Sequence, residues 1–156
     1  MVKLQFPEFP FRIRNSEGRR QIFDVIRKKW VVLTPEEWVR QHLATYLVET
    51  KKYPASLLAI EKTIEVNGLK KRCDILAHDK QGRPLLLAEC KAPEVEITQP
   101  VFDQAARYNM TTGVEILVLS NGLRHFCCRI DHASSSYLFL PEIPEFGAFD
   151  GTNTLS

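Results

Sequence analysis

Apolar and polar side chains alternate in two short runs near the start of the chain. Residues 11–14 and 21–26 are rich in aromatic and β-branched types, and the segment Asn-Ser-Glu-Gly lies between them. Runs of this kind favour strands, and polar segments that contain glycine favour turns. The pattern therefore predicts an N-terminal β-hairpin arm.

A helix is predicted to begin after Thr34. This residue can cap a helix, Pro35 suits the first helical position, and Glu37 stands at the spacing of a capping box. Apolar residues then recur at roughly helical spacing, and the Tyr53-Pro54 pair is expected to end the element. These apolar positions are Trp38, Leu43, Tyr46 and Leu47.

Three antiparallel strands are predicted in the middle of the chain. Residues 57–66 and 72–77 are mostly apolar or β-branched and flank Asn67-Gly68, which is a strong hairpin turn. The segment Asp79-Lys-Gln-Gly then leads to residues 84–91, whose apolar run suits a central strand buried on both faces.

The second half of the chain alternates between a helical pattern and strand patterns. Apolar spacing predicts a helix over residues 99–110, closed by Gly113. Strands are predicted over 115–119, 123–130 and 137–140, with a turn at Asn121-Gly122. The order of elements indicates an α/β protein, and the Pro- and Gly-rich tail after residue 141 is expected to be irregular.

Composition places the chain among soluble globular proteins. It has 156 residues, of which 44% are apolar and 26% charged, as expected for one domain. We divide it into an arm (1–30), a core (31–141) and a tail (142–156). No apolar stretch is long enough to span a bilayer and the start lacks a signal peptide, so we expect a cytoplasmic location without membrane association.

Charge is unevenly distributed along the chain. The net charge is only +2, which by itself does not call for a nucleic-acid partner, but basic residues outnumber acidic ones in the arm. A solvated basic hairpin and a surface that binds nucleic acid both remain open as interpretations.

The candidate chemistry lies around Asp74, Glu89 and Lys91. A turn centred between Gln81 and Gly82 would pair Asp74 with Glu89, and facing residues of antiparallel strands have Cβ atoms about 5 Å apart on one face. Lys91 follows Glu89 by two positions and would project from the same face. The pattern predicts two converging carboxylates with an amine beside them.

Two facing carboxylates repel each other unless a proton or a cation lies between them. Hard oxygen ligands at this separation suit Mg²⁺, with Mn²⁺ as a substitute, and such a site can activate water against a phosphodiester. Lys91 could position or deprotonate that water, or stabilise the transition state. The alternative is a structural ion-pair cluster, which fits less well because three charges beside an apolar run are costly to desolvate.

Several motifs together resemble the PD-(D/E)xK nuclease superfamily, and specifically the N-terminal nuclease domain of type I restriction enzyme R subunits. The resemblance covers roughly residues 20–125. It is carried by Arg27-Lys-Lys-Trp, Leu33-Thr-Pro-Glu-Glu-Trp-Val-Arg-Gln, Arg72-Cys-Asp-Ile-Leu, Ala88-Glu-Cys-Lys-Ala-Pro, Gln104-Ala-Ala-Arg-Tyr-Asn and Ser120-Asn-Gly.

This resemblance implies a restriction-endonuclease-like mixed β-sheet flanked by helices, Mg²⁺-dependent hydrolysis and DNA as the substrate. It implies that Asp74 and Glu89 bind metal and that Lys91 is the catalytic lysine. Cys73 stands where the superfamily name has proline, which leaves the ligand itself intact.

A third acid and two supporting residues follow from the same resemblance. Glu37 in the first helix is the candidate third metal ligand, although its capping position also explains it, and Glu61 in the preceding strand competes for the role. Gln104 and Tyr108 lie four residues apart on one helix face and resemble the Gln-x-x-x-Tyr pair of the family, so we predict that they bind DNA or support the site.

A zinc site was the other metal hypothesis. His125, Cys127, Cys128 and His132 are close in sequence, but adjacent residues of a strand point to opposite faces, so tetrahedral closure would require a bulge. Buried, reduced thiols explain the cysteines better.

Two function hypotheses that involve DNA result, beside the possibility of a non-nucleic-acid scaffold that binds neither Mg²⁺ nor DNA. The first is a Mg²⁺-dependent endodeoxyribonuclease domain like that of type I R subunits. The second is a non-cleaving DNA-binding or accessory module of a restriction or repair complex. The chain has no P-loop, so a motor or specificity subunit would be a separate partner.

Overall fold

A computed structural model describes residues 1–149, which form a three-stranded sheet, a six-stranded sheet and two α-helices. The small sheet has the order β1 (Ile13–Ser16), β2 (Arg19–Asp24), β3 (Lys29–Val32). The large sheet has the order β4 (Leu58–Val66), β5 (Leu69–His78), β6 (Pro84–Cys90), β7 (Ile116–Ser120), β8 (His125–Asp131), β9 (Ser136–Leu140). The helices are α1 (Pro35–Glu49) and α2 (Gln99–Asn109).

The predicted N-terminal hairpin is present, but it belongs to a larger element. Glu17 and Gly18 both have positive φ, 54° and 74°, which makes a two-residue turn and shifts both strands towards it. The additional strand β3 pairs with β2 in antiparallel register and crosses the expected arm boundary at residue 30. The arm is therefore a three-stranded sheet that ends at Val32.

Helix α1 begins as predicted and ends earlier. The Thr34 side chain accepts a hydrogen bond from the backbone N–H of Glu37 at 3.0 Å. In a capping box the Glu37 side chain would also accept a hydrogen bond from the backbone N–H of Thr34. Here the Glu37 carboxylate accepts from Arg40 instead. The helix stops at Glu49 rather than at Tyr53, which is buried and donates a hydrogen bond from its hydroxyl to the Pro144 carbonyl at 2.9 Å.

The large sheet is mixed and lies between the two helices, which confirms the predicted restriction-endonuclease-like α/β fold. Strands β5 and β6 are antiparallel with Leu76 opposite Leu87, which is the register expected from the turn. Helix α2 connects β6 to β7, and these two strands are parallel. Side chains of β6 are buried on both faces: Leu86 packs on the α1 side and Leu87 on the α2 side.

Strands β4 and β5 share an irregularity at Glu61 and Asp74, which we call the β4–β5 kink. Glu61 has a φ of 53° within a strand, and neither residue has a ladder partner, although the pairs on both sides of them are regular. On one side of the kink Ile75 packs towards α1, and on the other side Cys73 packs towards α2. Regular strands would place both on one face, so the kink exchanges the two faces at Asp74.

The described part of the tail packs against the end of α1. The backbone N–H of Phe146 donates to the Lys51 carbonyl at 2.8 Å, and Phe146–Ala148 forms a 3-10 turn. Residues 150–156, which are seven of the fifteen residues of the tail expected to be irregular, lie outside the described residues. Within residues 1–149, neither helix is long and apolar enough to cross a membrane.

Candidate active site

One cleft between the end of β6 and α2 gathers four of the predicted site residues. Glu89 and Lys91 line it from β6 and the segment that follows, and Gln104 and Tyr108 line it from α2. Its volume is about 280 Å³. Residues two apart along a strand, such as Glu89 and Lys91, or four apart along a helix, such as Gln104 and Tyr108, lie on one side of their element. Lys71, which sequence reasoning did not select, also lines the cleft.

Glu89 is held in the cleft by two donors. Its Oε1 accepts from Lys71 Nζ at 2.7 Å and from Asn109 Nδ2 at 3.1 Å. The Lys71 ammonium also lies 4.0 Å from the centroid of the Tyr108 ring. Lys71 and Asn109 were both missed, because their contacts with Glu89 depend on how β5 and α2 pack around β6.

Asp74 lies at the β4–β5 kink rather than in the expected ladder position opposite Glu89. The paired residues of β5 and β6 stop at Ile75 and Ala88. Asp74 Oδ2 accepts from the backbone N–H of Cys90 at 2.7 Å, and its Oδ1 accepts from Arg40 Nη1 at 3.2 Å. The contacts of Asp74 therefore run to α1, whereas those of Glu89 run to α2.

The two carboxylates nevertheless interact electrostatically. Burial raises the pKa of Asp74, and so do the negative charges of Glu89 and Glu61, although the Cys90 N–H and Arg40 oppose the shift. The side chains of Asp74 and Glu89 are 20% and 19% exposed, so solvent reaches both. Two coupled, accessible carboxylates are hard oxygen donors of the kind that Mg²⁺ binds, and a divalent cation would relieve their repulsion.

Glu37 and Glu61 are both bound to arginines. Glu37 accepts from Arg40 at 2.6 and 2.9 Å and from Gln41 at 3.1 Å. Glu61 forms ion pairs of 2.6 Å with Arg40, 2.6 Å with Arg72 and 3.3 Å with Arg27. Among residues 1–149, no group of three or more His, Cys, Asp or Glu side chains is arranged so that it could hold a metal ion.

Arg40 is the centre of this set of ion pairs, which we call the arginine network (Arg27, Arg40, Arg72, Glu37, Glu61, Asp74). Burial by itself lowers the pKa of Arg40, but the hydrogen bonds and charges of Glu37, Glu61 and Asp74 outweigh burial and raise it. The guanidinium therefore stays charged although only 8% of the side chain is exposed. A charge buried this far is stable only with such partners.

Glu36 is an acid that sequence reasoning missed. Burial and the charge of Asp74 raise its pKa, while Arg40 and Lys91 oppose the shift. The pKa of Glu36 thus depends on the charges of both Asp74 and Lys91. Its side chain forms no ion pair within residues 1–149. The sequence does place Glu36 in the first turn of α1. The spacing of the capping box, however, selects its neighbour Glu37 as the candidate third acid.

The residues of the zinc hypothesis are dispersed. Cys127 packs in the core on the α1 side and Cys128 in the core on the α2 side. His125 contacts Ser120 Oγ at 2.7 Å and the Gln5 carbonyl at 2.7 Å, while His132 contacts the Val114 carbonyl at 2.7 Å. Burial raises the pKa of each of the two thiols to about 12, which favours the protonated form over the thiolate that binds zinc.

Two comparisons with known proteins bear on this site. The family model for the N terminus of the type I restriction enzyme R protein matches residues 35–144. The matched segment contains both α-helices and every residue of the cleft. A comparison with curated proteins gives no match.

Proposed function

Because the chain belongs to the family of type I restriction enzyme R protein N-terminal domains, we propose that it is a Mg²⁺-dependent endodeoxyribonuclease domain that hydrolyses DNA phosphodiester bonds. The observation that carries the proposal is the cleft in which Glu89, Lys91, Gln104 and Tyr108 meet. Membership of the family also implies a larger restriction complex.

Asp74 and Glu89 are the residues that would hold Mg²⁺, or Mn²⁺ in its place. When bound, the metal would lower the pKa of a water molecule and neutralise charge on the scissile phosphate. Arg40 now neutralises Asp74 and Lys71 neutralises Glu89. We therefore expect a divalent cation to compete with these two side chains for the carboxylates.

Lys91 supplies a positive charge on the same side of the cleft as Glu89. Its backbone N–H donates to the Ser120 carbonyl at 2.8 Å, which fixes the start of the segment after β6 against β7. An ammonium at this position can orient the attacking water and stabilise the charge that develops on the phosphate. Gln104 and Tyr108 form the opposite wall, where an amide and a phenol can donate hydrogen bonds to the DNA backbone.

Cleavage of supercoiled plasmid in the presence of Mg²⁺ tests the proposal. Lys91→Ala should lower the rate by about 100-fold or more, because one positioned charged group typically contributes that much to the chemical step. Lys80→Ala is the matched control, because Lys80 is exposed in the turn between β5 and β6 and lies outside the cleft. Equal cutting by the parent protein and Lys91→Ala, or no cutting with any divalent metal, would contradict the nuclease proposal.

A non-cleaving DNA-binding or accessory module is the second candidate. It is favoured by the ion pairs that already neutralise Asp74, Glu89, Glu37 and Glu61. In that case a separate motor or specificity subunit would be the functional partner. This candidate predicts DNA binding that persists in EDTA, weakens as salt rises and is accompanied by no cleavage.

A further inference from the structure

The outer face of the three-stranded arm sheet carries arginines and aromatic rings together. Ile22 and Asp24 of β2 are buried, so Phe23 points away from the core. Phe23 pairs with Trp30 of β3, and its backbone N–H donates to the Arg12 carbonyl at 2.9 Å. We call this surface the arm face; its members are Arg12, Arg14, Arg19, Phe23 and Trp30.

Four side chains of the arm face, those of Arg12, Arg14, Phe23 and Trp30, are stacked in a continuous row. Phe23 and Trp30 meet edge to face with their ring centroids 5.4 Å apart. The guanidinium carbon of Arg14 lies 4.2 Å from the Trp30 centroid, and that of Arg12 lies 4.9 Å from Phe23 and 5.3 Å from Trp30. Arg14 Nε also donates to Gln21 Oε1 at 2.8 Å, which fixes the direction of its guanidinium. The row is therefore oriented by contacts within the sheet.

Within residues 1–149, Arg12, Arg14 and Arg19 form no ion pair, whereas Arg27 and Arg40 of the arginine network are each paired with acids. All three arginines of the arm face are exposed. Their charge is complementary to a polyanion, and their flat groups present planes on which another flat group can stack.

A groove lies beside the row. Its volume is about 460 Å³, and its walls include Phe9, Phe11, Phe23 and Val25, together with Arg12 and, from α1, Thr45 and the acid Glu49. The groove is thus mostly apolar, and one of its edges is shared with the stacked row. An apolar, ring-lined groove next to cationic planes can accept an unpaired base while phosphates remain on the arginines.

We propose that the arm face binds single-stranded DNA. Bases stack on aromatic rings and on guanidinium planes, but a duplex hides the faces of its bases, so the arrangement favours an unpaired strand. The choice of DNA over RNA rests on the proposed function, whereas the preference for an unpaired strand rests on the geometry of the arm face alone. The surface lies outside the segment that the family model matches, residues 35–144.

Fluorescence anisotropy with the whole chain tests this inference. A fluorescein-labelled single strand of 20 thymidines, a 20-base-pair duplex and a 20-nucleotide oligouridine RNA are titrated in EDTA, so that metal-dependent cleavage does not contribute. We expect the DNA strand to bind more tightly than the duplex and at least as tightly as the RNA. The slope of log Kd against log salt should be about 2 and fall by about 0.7 for each arginine of the arm face that is removed.

Matched variants locate the binding surface. Arg14→Ala and Trp30→Ala should each weaken binding of the single strand by roughly tenfold, while Arg129→Ala, an exposed strand arginine of β8, should not. Arg14→Gln and Trp30→Phe, with circular dichroism of each variant, separate lost stacking from lost folding. Equal affinity of Arg14→Ala and Arg129→Ala, or a duplex bound as tightly as the single strand, would overturn the inference.

The same experiment separates the inference from the nuclease proposal. Lys80→Ala should bind the single strand as the parent protein does, because Lys80 belongs neither to the arm face nor to the cleft. A protein that binds through the arm face and cuts no DNA upholds the inference and contradicts the nuclease proposal. A protein that cuts DNA although Arg14→Ala binds normally contradicts the inference alone.

Discussion

Arginines occur in two regions of this protein in opposite circumstances. In the arginine network, Arg27 and Arg40 are largely buried and every guanidinium has carboxylate partners. On the arm face, Arg12 and Arg14 are exposed and stack on rings, and within residues 1–149 they form no ion pair. The difference shows that a partner is required where water is excluded and is dispensable where water remains.

The largest effect that this comparison predicts is on stability. Arg40→Ala should lower the free energy of unfolding by about 3–5 kcal/mol, because it leaves Glu37, Glu61 and Asp74 without their shared cation in a buried setting. Urea denaturation followed by circular dichroism measures the change. Arg14→Ala is the counterpart from the arm face, and we expect it to change stability by about 0.5 kcal/mol or less. Similar losses in the two variants would contradict the distinction between the regions.

Glu36 and Glu37, neighbours in the first turn of α1, allow an acid without an ion pair among the described residues to be compared with one that is paired. Glu37→Gln should destabilise the protein by about 1.5–3 kcal/mol, because the carboxylate accepts hydrogen bonds from buried Arg40. Glu36→Gln should leave stability nearly unchanged but weaken Mn²⁺ binding by about tenfold, because Glu36 is coupled to Asp74 and Lys91. Calorimetric titration with Mn²⁺ and urea denaturation of both variants test this. The reverse outcome, weaker Mn²⁺ binding by Glu37→Gln with little loss of stability, would favour Glu37 as the third acid.

The smallest predicted effect concerns His42, a buried side chain whose surroundings favour its neutral form. His42 lies among Phe6, Phe9, Phe11 and Trp38, and burial lowers its pKa below the ordinary value of 6.5, although its hydrogen bond with the Trp38 carbonyl opposes the shift. The unfolded chain therefore binds a proton at higher pH than the folded protein does. Stability contributed by neutral His42 is fully present above pH 6.5 and is lost as pH falls below that value.

His42→Phe provides the measurement for this effect. Phenylalanine keeps a ring in the cluster but cannot take a proton, so the variant should lose less stability than the parent protein between pH 7.5 and pH 5.5. His125, whose pKa is also lowered by burial, contributes equally to both proteins and cancels in the difference. Parallel stability profiles for the two proteins would show that His42 is not the titrating group.

Local sequence signals were sufficient for most of the fold. The Asn67-Gly68 turn, the cap at Thr34 and the register of β5 against β6 all depend on residues close together in the chain. Strand β3 was missed because it has four residues and pairs with β2 through a turn in which Lys28 has a φ of 55°. No glycine or asparagine marks that turn, so its sequence gives no strong turn signal.

The site was predictable only in part. The spacing within each element correctly places Glu89 with Lys91 and Gln104 with Tyr108 in one cleft. The position of Asp74 was not predictable, because the kink depends on a strand glutamate, Glu61, in a conformation that L-residues rarely adopt. The contacts of Arg40 with Glu61 and Asp74, and those of Lys71 and Asn109 with Glu89, join distant elements and have no local signal. The metal-binding and catalytic roles remain predictions.

The β4–β5 kink also determines where the α1 layer ends on this hairpin. Before the kink, Ile75 packs on the α1 side and Leu76 on the α2 side, whereas Cys73 beyond it packs on the α2 side. The near half of the hairpin is thus attached to both helical layers, and the far half to the α2 layer. Asp74 stands at the boundary, where Arg40 of α1 donates a hydrogen bond to its carboxylate. The candidate metal ligand is therefore held at the edge of the α1 layer.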